Sequence, residues 1–148
     1  MTNGVTERQR AREKCALSLR LVAVPDNVML VRQALDGAAR ELGADSAIVE
    51  DLKLAVTEAC SNVVKYAYRG SPGDLEVTLD PVEAGFSVVV RDDGSWLEQA
   101  VAEGDAGGLG IPLMQAVTRR FEISSAENGT TVRLDFPLVR DSAEHADA

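Results

Sequence analysis

The chain has 148 residues, of which 45% are hydrophobic, 26% charged and only 4% aromatic, a composition typical of one soluble globular domain with an aliphatic core. Fifteen basic residues against twenty-four acidic ones give a formal net charge of −9, which argues against binding to nucleic acid or to an anionic membrane surface. The sequence has neither an apolar run long enough to span a bilayer nor the apolar stretch of a signal peptide, so we expect a cytoplasmic protein.

Cysteine and histidine are scarce, which limits the metal chemistry that the chain can support. Cys15 and Cys60 are too isolated to form a metal knuckle or a disulfide framework, and His145 lies in the polar C-terminal tail. Any metal ion must therefore be held by oxygen ligands.

Polar segments at both ends frame one predicted domain. Residues 1–14 and the acidic tail 139–148 are expected to be flexible, and residues 15–138 to form the single folded domain.

Hydrophobic patterning predicts one strand and two helices in the first half of this domain. The alternating stretch LSLRLVAV begins a strand at Leu17, and a helix follows that starts at Pro25 and ends at Gly43. A second, longer helix has Asp45 or Ser46 as its N-cap and apolar residues spaced by threes and fours, and it stops at the segment RGSPG.

The second half predicts four strands and one further helix. Two strands, DLEVTLDP and GFSVVVRDD, pair as a hairpin, and a glycine loop then enters a third helix in GGLGIPLMQAVTRRF. Two final strands are joined across Glu127-Asn128-Gly129, a strong turn signal. This order predicts a two-layer α+β sandwich, in which a mixed, mostly antiparallel sheet carries three helices on one face and leaves the other open.

The second helix carries a polar pair beside its apolar stripe. Glu58 and Asn62 are one turn apart and lie on the flank of the helix, where they can form the wall of a cleft. An Asn carbonyl oxygen suits Mg²⁺, and a carboxylate one turn away can accept a proton from a nucleophile. The same pair also fits an ordinary solvated helix surface.

An apolar strand ends at Asp92-Asp93-Gly94, within the segment VVVRDDGSW. An acidic side chain at a strand end can accept a hydrogen bond from an exocyclic amine, while the glycine backbone passes close to a flat ring. A plain turn is the alternative, because Asp-Gly is favoured in turns for backbone reasons alone.

Three glycines, Gly107, Gly108 and Gly110, directly precede the third helix. Glycines at this place expose backbone N–H groups and allow an anionic phosphate to approach the positive end of the helix dipole. The segment is neither a P-loop nor a dinucleotide fingerprint, because no Gly-Lys-Ser/Thr follows and the strand and acidic residue of the latter are absent. A flexible loop with small residues at the helix entry is the alternative.

Thr130 shares the inward face of the last strand with Val132, Leu134 and Phe136. An inward hydroxyl needs a hydrogen-bond partner. Threonine beside a turn is also common because of its strand propensity.

Taken in this order and at these spacings, the four groups resemble the anti-sigma factor serine kinases of the RsbW and SpoIIAB type, within the GHKL superfamily of gyrase and histidine kinase ATP-binding domains. The resemblance covers roughly residues 17–137. The segment EACSNVVKYAY is similar to the family's N box, RDDG to its G1 box, GGLGIPLM to its G2 box and GTTVRLDF to its final strand. The resemblance implies the Bergerat fold, which agrees with the predicted order of elements.

The resemblance also implies a role for each motif. Glu58 would be the general base, Asn62 the Mg²⁺ ligand, and Asp92 the partner of the adenine amine, with Gly94 beneath the ring and Thr130 supporting the Asp92 end. The implied ATP-binding set is Asn62, Asp92, Gly94, Gly108, Leu109, Gly110 and Thr130.

The function that the resemblance implies is partner switching with ATP and Mg²⁺ as cofactors. The protein would bind and inhibit a sigma factor, and it would phosphorylate a serine or threonine of a STAS-type anti-anti-sigma protein. A homodimer is expected, with Val28–Leu42 of the first helix as the region for partner or subunit contact, and no nucleic acid or membrane partner is expected.

The chain departs from the family pattern around the glycine motifs. The segment LEQAVAEGDAGGLG is short and acidic, and it has Ala106 where relatives carry a basic residue. Ser95-Trp96 follows Gly94 in place of a second glycine, and we expect Trp96 to pack rather than to cap an adenine pocket. Lys65, where relatives often carry His, is expected to face water. These departures favour a second hypothesis, a catalytically weak or inactive nucleotide-binding module that acts only by sequestering its partner.

Overall fold

The computed structural model describes residues 16–102, 104 and 106–140. The elements in chain order are β1 (Leu17–Val22), α1 (Pro25–Glu41), α2 (Ser46–Asn62), a π-helical turn (Val63–Ala67), β2 (Asp74–Val82), β3 (Gly85–Asp92), α3 (Leu97–Ala102), a 3-10 turn (Ala106–Leu109), α4 (Ile111–Val117), β4 (Arg120–Ala126) and β5 (Gly129–Pro137).

Some of the predictions fall on parts of the chain outside the described residues. These are the predictions for residues 1–14 and for Cys15, those for most of the tail with His145, and the one for the side chain of Ala106. Within the described ranges, none of the helices combines the length and the apolar character needed to cross a bilayer.

Both long helices begin and end where local chemistry predicts. Pro25 lies in the first turn of α1, where its missing N–H leaves no helical hydrogen bond unmade, and α1 ends before Gly43, whose φ is +94°. Asp45 is the N-cap of α2, since its Oδ1 accepts a hydrogen bond of 2.9 Å from the backbone N–H of Ile48. The alternative cap, Ser46, is the first helical residue instead.

The five strands form one sheet in the order β1-β2-β3-β5-β4. Each of the four pairings is antiparallel, so the sheet has no parallel component among the described strands. Helices α1, α2 and α4 contact the sheet, and α2 lies between the other two. The predicted α+β two-layer fold is thus confirmed, and the described strands form an antiparallel sheet in place of the expected mixed one.

Alternation along the strands separates a buried face from a polar one. The inward residues of the three central strands, which pack against α1 and α2, are Leu75, Val77, Leu79, Phe86, Val88, Val90, Val132, Leu134 and Phe136. On the outer face Arg20, Glu76 and Arg91 lie side by side in register, and Arg20 forms an ion pair of 3.4 Å with Glu76. The inner face holds the core, and the register on that face pairs Asp92 with Thr130.

Two local features were not predicted from sequence. The helix expected to run on through KYAY changes after Asn62 into the π-helical turn Val63–Ala67, a feature frequent at functional sites. The short helix α3, Leu97–Ala102, lies in a segment whose length and polarity give no clear helical period.

Candidate functional site

The end of α2 brings Asn62 and Glu58 against one short segment of the chain. Asn62 is buried, and its Nδ2 donates a hydrogen bond of 2.7 Å to the carbonyl oxygen of Leu109. The half-buried Glu58 faces the next residue, Gly110, because a Cβ there would overlap the Glu58 carboxylate. The pair predicted from helical spacing therefore faces the glycine motif predicted from a separate part of the sequence.

The orientation of the Asn62 amide leaves one group of the side chain for another ligand. Because Nδ2 is committed to Leu109, the carbonyl oxygen Oδ1 is the atom left to accept a donor or to ligate a hard cation. The described residues contain no cluster of three His, Cys, Asp or Glu side chains that could hold a metal by themselves. A single amide oxygen from the protein fits Mg²⁺, which keeps several bound waters and takes further ligands from substrate phosphates.

Asp92 ends β3 on the inner face of the sheet and is buried, and each of its carboxylate oxygens accepts a hydrogen bond. Oδ1 accepts a hydrogen bond of 2.8 Å from the backbone N–H of Gly94, and Oδ2 accepts one of 2.9 Å from Nε1 of Trp96. Burial raises the pKa of Asp92 above its ordinary value, and the hydrogen bonds from Trp96, Gly94 and the Thr130 backbone partly oppose that rise. The site therefore contains a desolvated carboxyl group whose partners are donors, including one from an aromatic ring.

Gly94 and Thr130 fix the backbone next to Asp92. The Thr130 hydroxyl, almost completely buried, donates to the carbonyl oxygen of Gly94 at 3.3 Å, which gives the inward hydroxyl its partner. A Cβ on Gly94 would overlap the carbonyl of Ala67 in the π-helical turn. Gly94 thus permits a close approach of two backbone segments in this structure, and its predicted position beneath a purine ring remains a prediction.

The three predicted ATP-binding residues before α4, namely Gly108, Leu109 and Gly110, differ in their surroundings. Gly110 is the N-cap of α4 with φ +72°, a left-handed conformation that favours glycine. Leu109 is fully buried, whereas a Cβ added at Gly108 would meet nothing within 4 Å. The Gly108 backbone is therefore the most open of the three to an approaching ligand.

Trp96 forms a small hydrophobic cluster of its own with Ala100 and Leu109. The indole is 1% exposed and stacks on Tyr66, with 5.7 Å between ring centroids and 19° between the planes. Trp96 packs, as expected, but the sequence did not predict its hydrogen bond to Asp92. The signal for it in the sequence is that Trp96 follows Asp92 by four residues across a turn at Gly94.

Tyr68 is a second residue near the site that the sequence pattern did not indicate. Its hydroxyl donates to the carbonyl oxygen of Asp74 at 2.5 Å and accepts from the backbone N–H of Asp93 at 3.0 Å. It thus ties the start of β2 to the end of β3, beside Asp92. Lys65 lies on the exposed side of the π-helical turn, in agreement with the expectation that it faces water.

Comparison with known proteins gives one family match that spans most of the chain. The family described as the histidine kinase-like ATPase domain matches residues 21–136. The serine-protein kinase RsbW of Bacillus pumilus is 30% identical over 146 residues, covering 87% of this chain and 90% of its own. The protein of the same name from Bacillus subtilis is 27% identical over 144 residues, covering 87% and 89%.

Two solved structures share the fold at low sequence identity. A crystal structure of the RsbU and RsbW domains of a Mycobacterium tuberculosis protein has a TM-score of 0.65 and 23% identity, covering 82% of this chain. The chain spans about a third of that protein's chain, at 32%. The histidine kinase domain of a blue-light activated kinase from Erythrobacter litoralis has a TM-score of 0.53 and 20% identity, covering 75% of this chain and 61% of that one.

Proposed function

Because the chain belongs to the histidine kinase-like ATPase domain family, in its RsbW branch, we propose that it is an ATP-dependent serine/threonine protein kinase that acts as an anti-sigma factor. In this proposal it binds and inhibits a sigma factor, and it transfers phosphate to a serine or threonine of a STAS-type anti-anti-sigma protein. The observation that carries the proposal is the convergence of Glu58 and Asn62 on the segment Leu109–Gly110.

Each end of the site has a distinct chemical task. Asp92 accepts a hydrogen bond from the exocyclic amine of adenine. Gly94 and Thr130 fix the backbone around Asp92. Asn62 offers Oδ1 to Mg²⁺, which when bound neutralises charge on the phosphates. The backbone around Gly108 is open to the phosphates, and Leu109 and Gly110 continue this ATP-binding segment.

Glu58 supplies the proton chemistry of the transfer. The oxygen of the partner's hydroxyl attacks the γ-phosphorus, its proton passes to the Glu58 carboxylate, and the bond between the γ-phosphorus and the bridging oxygen breaks to release ADP. Positioning and charge neutralisation contribute most of the rate, since phosphoryl transfer demands little covalent chemistry from the protein.

The partners are proteins, and the proposed location is the cytoplasm. Helix α1 exposes two large apolar side chains, Met29 and Leu30, within the region Val28–Leu42 where partner or subunit contact is expected. The net charge of −9 disfavours nucleic acid and anionic membrane as partners. A homodimer is the proposed assembly.

A second candidate function is a weak or inactive nucleotide-binding module that only sequesters its partner. The observation that favours it is that the protein's own indole, on Trp96, already donates to Asp92, where the adenine amine is proposed to bind. The short acidic segment before Gly108 points the same way, since it brings no cation towards the phosphates.

A phosphotransfer assay separates the two functions. The protein is incubated with γ-labelled ATP, Mg²⁺ and STAS proteins that it demonstrably binds, and label on the STAS protein is followed over time. Glu58→Gln should lower the transfer rate by about 10²–10⁴-fold, and Asn62→Ala should raise the Mg²⁺ concentration that is needed for half-maximal transfer. Glu50→Gln, an exposed change on the same helix, is the matched control and should leave the rate unchanged.

Two results would go against this proposal, the first against kinase activity and the second against the role of Glu58. Wild-type protein that transfers no label to a STAS protein it binds leaves only the sequestration module. A Glu58→Gln variant as fast as wild type removes Glu58 from the chemistry.

A further inference from the structure

The chain's single tryptophan lies at the place that the proposed function assigns to a purine. Its indole N–H donates to Asp92 Oδ2 at 2.9 Å, and the ring is 1% exposed. The second carboxylate oxygen of Asp92 is held by the N–H of Gly94. The indole and the N–H of Gly94 therefore contact different oxygens of the same carboxylate.

The indole reproduces the chemical features by which such a site holds adenine. Both are flat aromatic ring systems, and both present an N–H donor in the plane of the ring. A buried carboxylate needs such a donor, because an ionised group out of water is costly without a hydrogen-bonding partner. Asp92 is satisfied by Trp96 without any ligand.

The packing of Trp96 also reaches the other end of the site. Trp96, Ala100 and Leu109 form one hydrophobic cluster, and Tyr66 stacks on the indole. The carbonyl of Leu109 is the acceptor for Asn62 Nδ2. This cluster thus connects Asp92, which would bind adenine, to Asn62, which would hold the metal ion.

We propose that Trp96 is an internal occupant of the nucleotide site, which keeps the site closed until ATP displaces the indole from Asp92. This inference rests on the proposed function, because it assigns the purine to Asp92. In the closed state the Asp92–Trp96 hydrogen bond and the buried cluster with Leu109 compete with nucleotide. Binding of ATP requires the indole to leave, and its departure removes the packing that holds Leu109 against Asn62.

Such competition lowers the apparent affinity by the fraction of molecules that are open. If the open state is populated at about 1–10%, the apparent affinity for ATP is lowered by about 10- to 100-fold relative to an unobstructed site. A stimulus that stabilises the open state, such as a bound partner protein, would raise ATP affinity by up to the same factor.

Because the chain has one tryptophan, fluorescence excited selectively at the indole reports on Trp96 alone. The full chain is titrated with Mg·ATP while emission wavelength and acrylamide quenching are recorded, and binding is measured in parallel by equilibrium dialysis with labelled ATP. We expect emission to move to longer wavelength and quenching to increase as ATP binds. GTP serves as the control ligand, because guanine presents a carbonyl where adenine presents its amine.

Two variants test the competition itself. Trp96→Phe keeps a flat ring but removes the N–H donor, and Trp96→Ala removes both. Each should bind ATP at least about tenfold more tightly than wild type. Trp96→Phe retains the packing with Tyr66 and Leu109 and so covers the case in which Trp96→Ala fails to fold, as judged by its melting transition.

The outcomes distinguish this inference from the proposed function. If wild type binds ATP while Trp96 stays shielded, the occlusion by Trp96 is wrong but the proposed nucleotide site stands. The same holds if the variants bind ATP no more tightly than wild type. Weaker binding by both variants would show instead that the indole is a platform for the base. Failure of wild type and both variants to bind ATP rejects the proposed nucleotide site and the occlusion together. Binding by the variants but not by wild type supports the occlusion.

Discussion

Asn62, in the last turn of α2, donates from Nδ2 to the carbonyl oxygen of Leu109, which lies 47 residues further along the chain. The hydrogen bond is buried and 2.7 Å long. It fixes the amide so that Oδ1 remains for another ligand, and it holds the residue next to Gly110 against the helix that carries Glu58. One hydrogen bond therefore relates the proposed base, the proposed metal ligand and the glycine motif.

Replacing Asn62 with Asp should break this relationship while keeping an oxygen ligand. The carboxylate has no donor for Leu109, so two acceptors would face one another in a buried place. We expect unfolding free energy to fall by about 1–3 kcal/mol in urea denaturation. The matched control is Asn27→Asp, which removes an exposed amide-to-carbonyl bond of 2.8 Å to Val22. An equal loss in both variants would contradict a special role for the buried bond.

Gly110→Ala should impair the site by two separable effects. The φ of +72° disfavours alanine, and the added methyl group would overlap the Glu58 carboxylate. Gly43→Ala is the matched control, because Gly43 has φ +94° but nothing within 4 Å of the added methyl. Both variants should lose about 1 kcal/mol of stability from backbone strain. Only Gly110→Ala should also lose phosphotransfer. Equal transfer rates in the two variants would argue against contact between Gly110 and the proposed general base, Glu58.

Asp92 should make stability depend on pH in a direction opposite to a salt-bridged carboxylate. Burial raises its pKa above the ordinary value of 3.8, so the native state holds the proton more tightly than the unfolded state. Its contribution to stability is therefore complete below pH 3.8 and is lost as the pH rises through the raised pKa. The measurement is the unfolding free energy from urea curves at a series of pH values from below 3.8 upwards. In Asp92→Asn this pH-dependent contribution to stability should be absent. Asp93→Asn, at the exposed neighbour, should leave most of it in place, because burial is the largest cause of the raised pKa of Asp92 and the charge of Asp93 is a smaller one.

Asp92→Asn should also weaken ATP binding by more than about tenfold, since a charge-assisted hydrogen bond to the adenine amine becomes a neutral one. The measurement is equilibrium dialysis with labelled ATP, beside Asp93→Asn. An unchanged affinity of Asp92→Asn for ATP would mean that adenine binds somewhere other than at Asp92.

Cys60 should be chemically inert in the native protein. It is completely buried in α2, and burial raises its pKa to about 12, so almost no thiolate exists near neutral pH. In a Cys15→Ser background Cys60 is the only thiol of the chain. A thiol reagent should then label the protein only after denaturant is added. Rapid labelling of the native protein would show that α2 opens locally.

Tyr68→Phe should loosen the connection between β2 and β3 beside Asp92. The change removes a donor to the Asp74 carbonyl and an acceptor for the N–H of Asp93. We expect a loss of about 1–2 kcal/mol in unfolding free energy. Tyr66→Phe is the control, because it keeps the ring that stacks on Trp96. A Tyr68→Phe variant as stable as Tyr66→Phe would mean that water replaces both hydrogen bonds.

The sequence predicted the elements of the fold because their signals are local. Helical spacing of apolar residues, a proline at the start of α1 and an Asp cap on α2 depend on neighbours within one or two turns, and the structure has them where they were predicted. The family and the fold class that four motifs indicated are confirmed by the match over residues 21–136 and by the five-stranded sheet. The roles of the individual site residues remain predictions.

What the sequence determined by itself was which chemical groups the protein carries and on which element each lies: Glu58 and Asn62 on a helix flank, Asp92 at a strand end, Thr130 on an inward face. Only the tertiary structure decided which of these groups meet. The hydrogen bond from Asn62 to Leu109 and the position of Trp96 on Asp92 depend on the sheet register, on the π-helical turn and on the cluster around the indole. Those contacts form because buried polar groups must find partners once the chain is compact, and local spacing does not encode which partners are within reach.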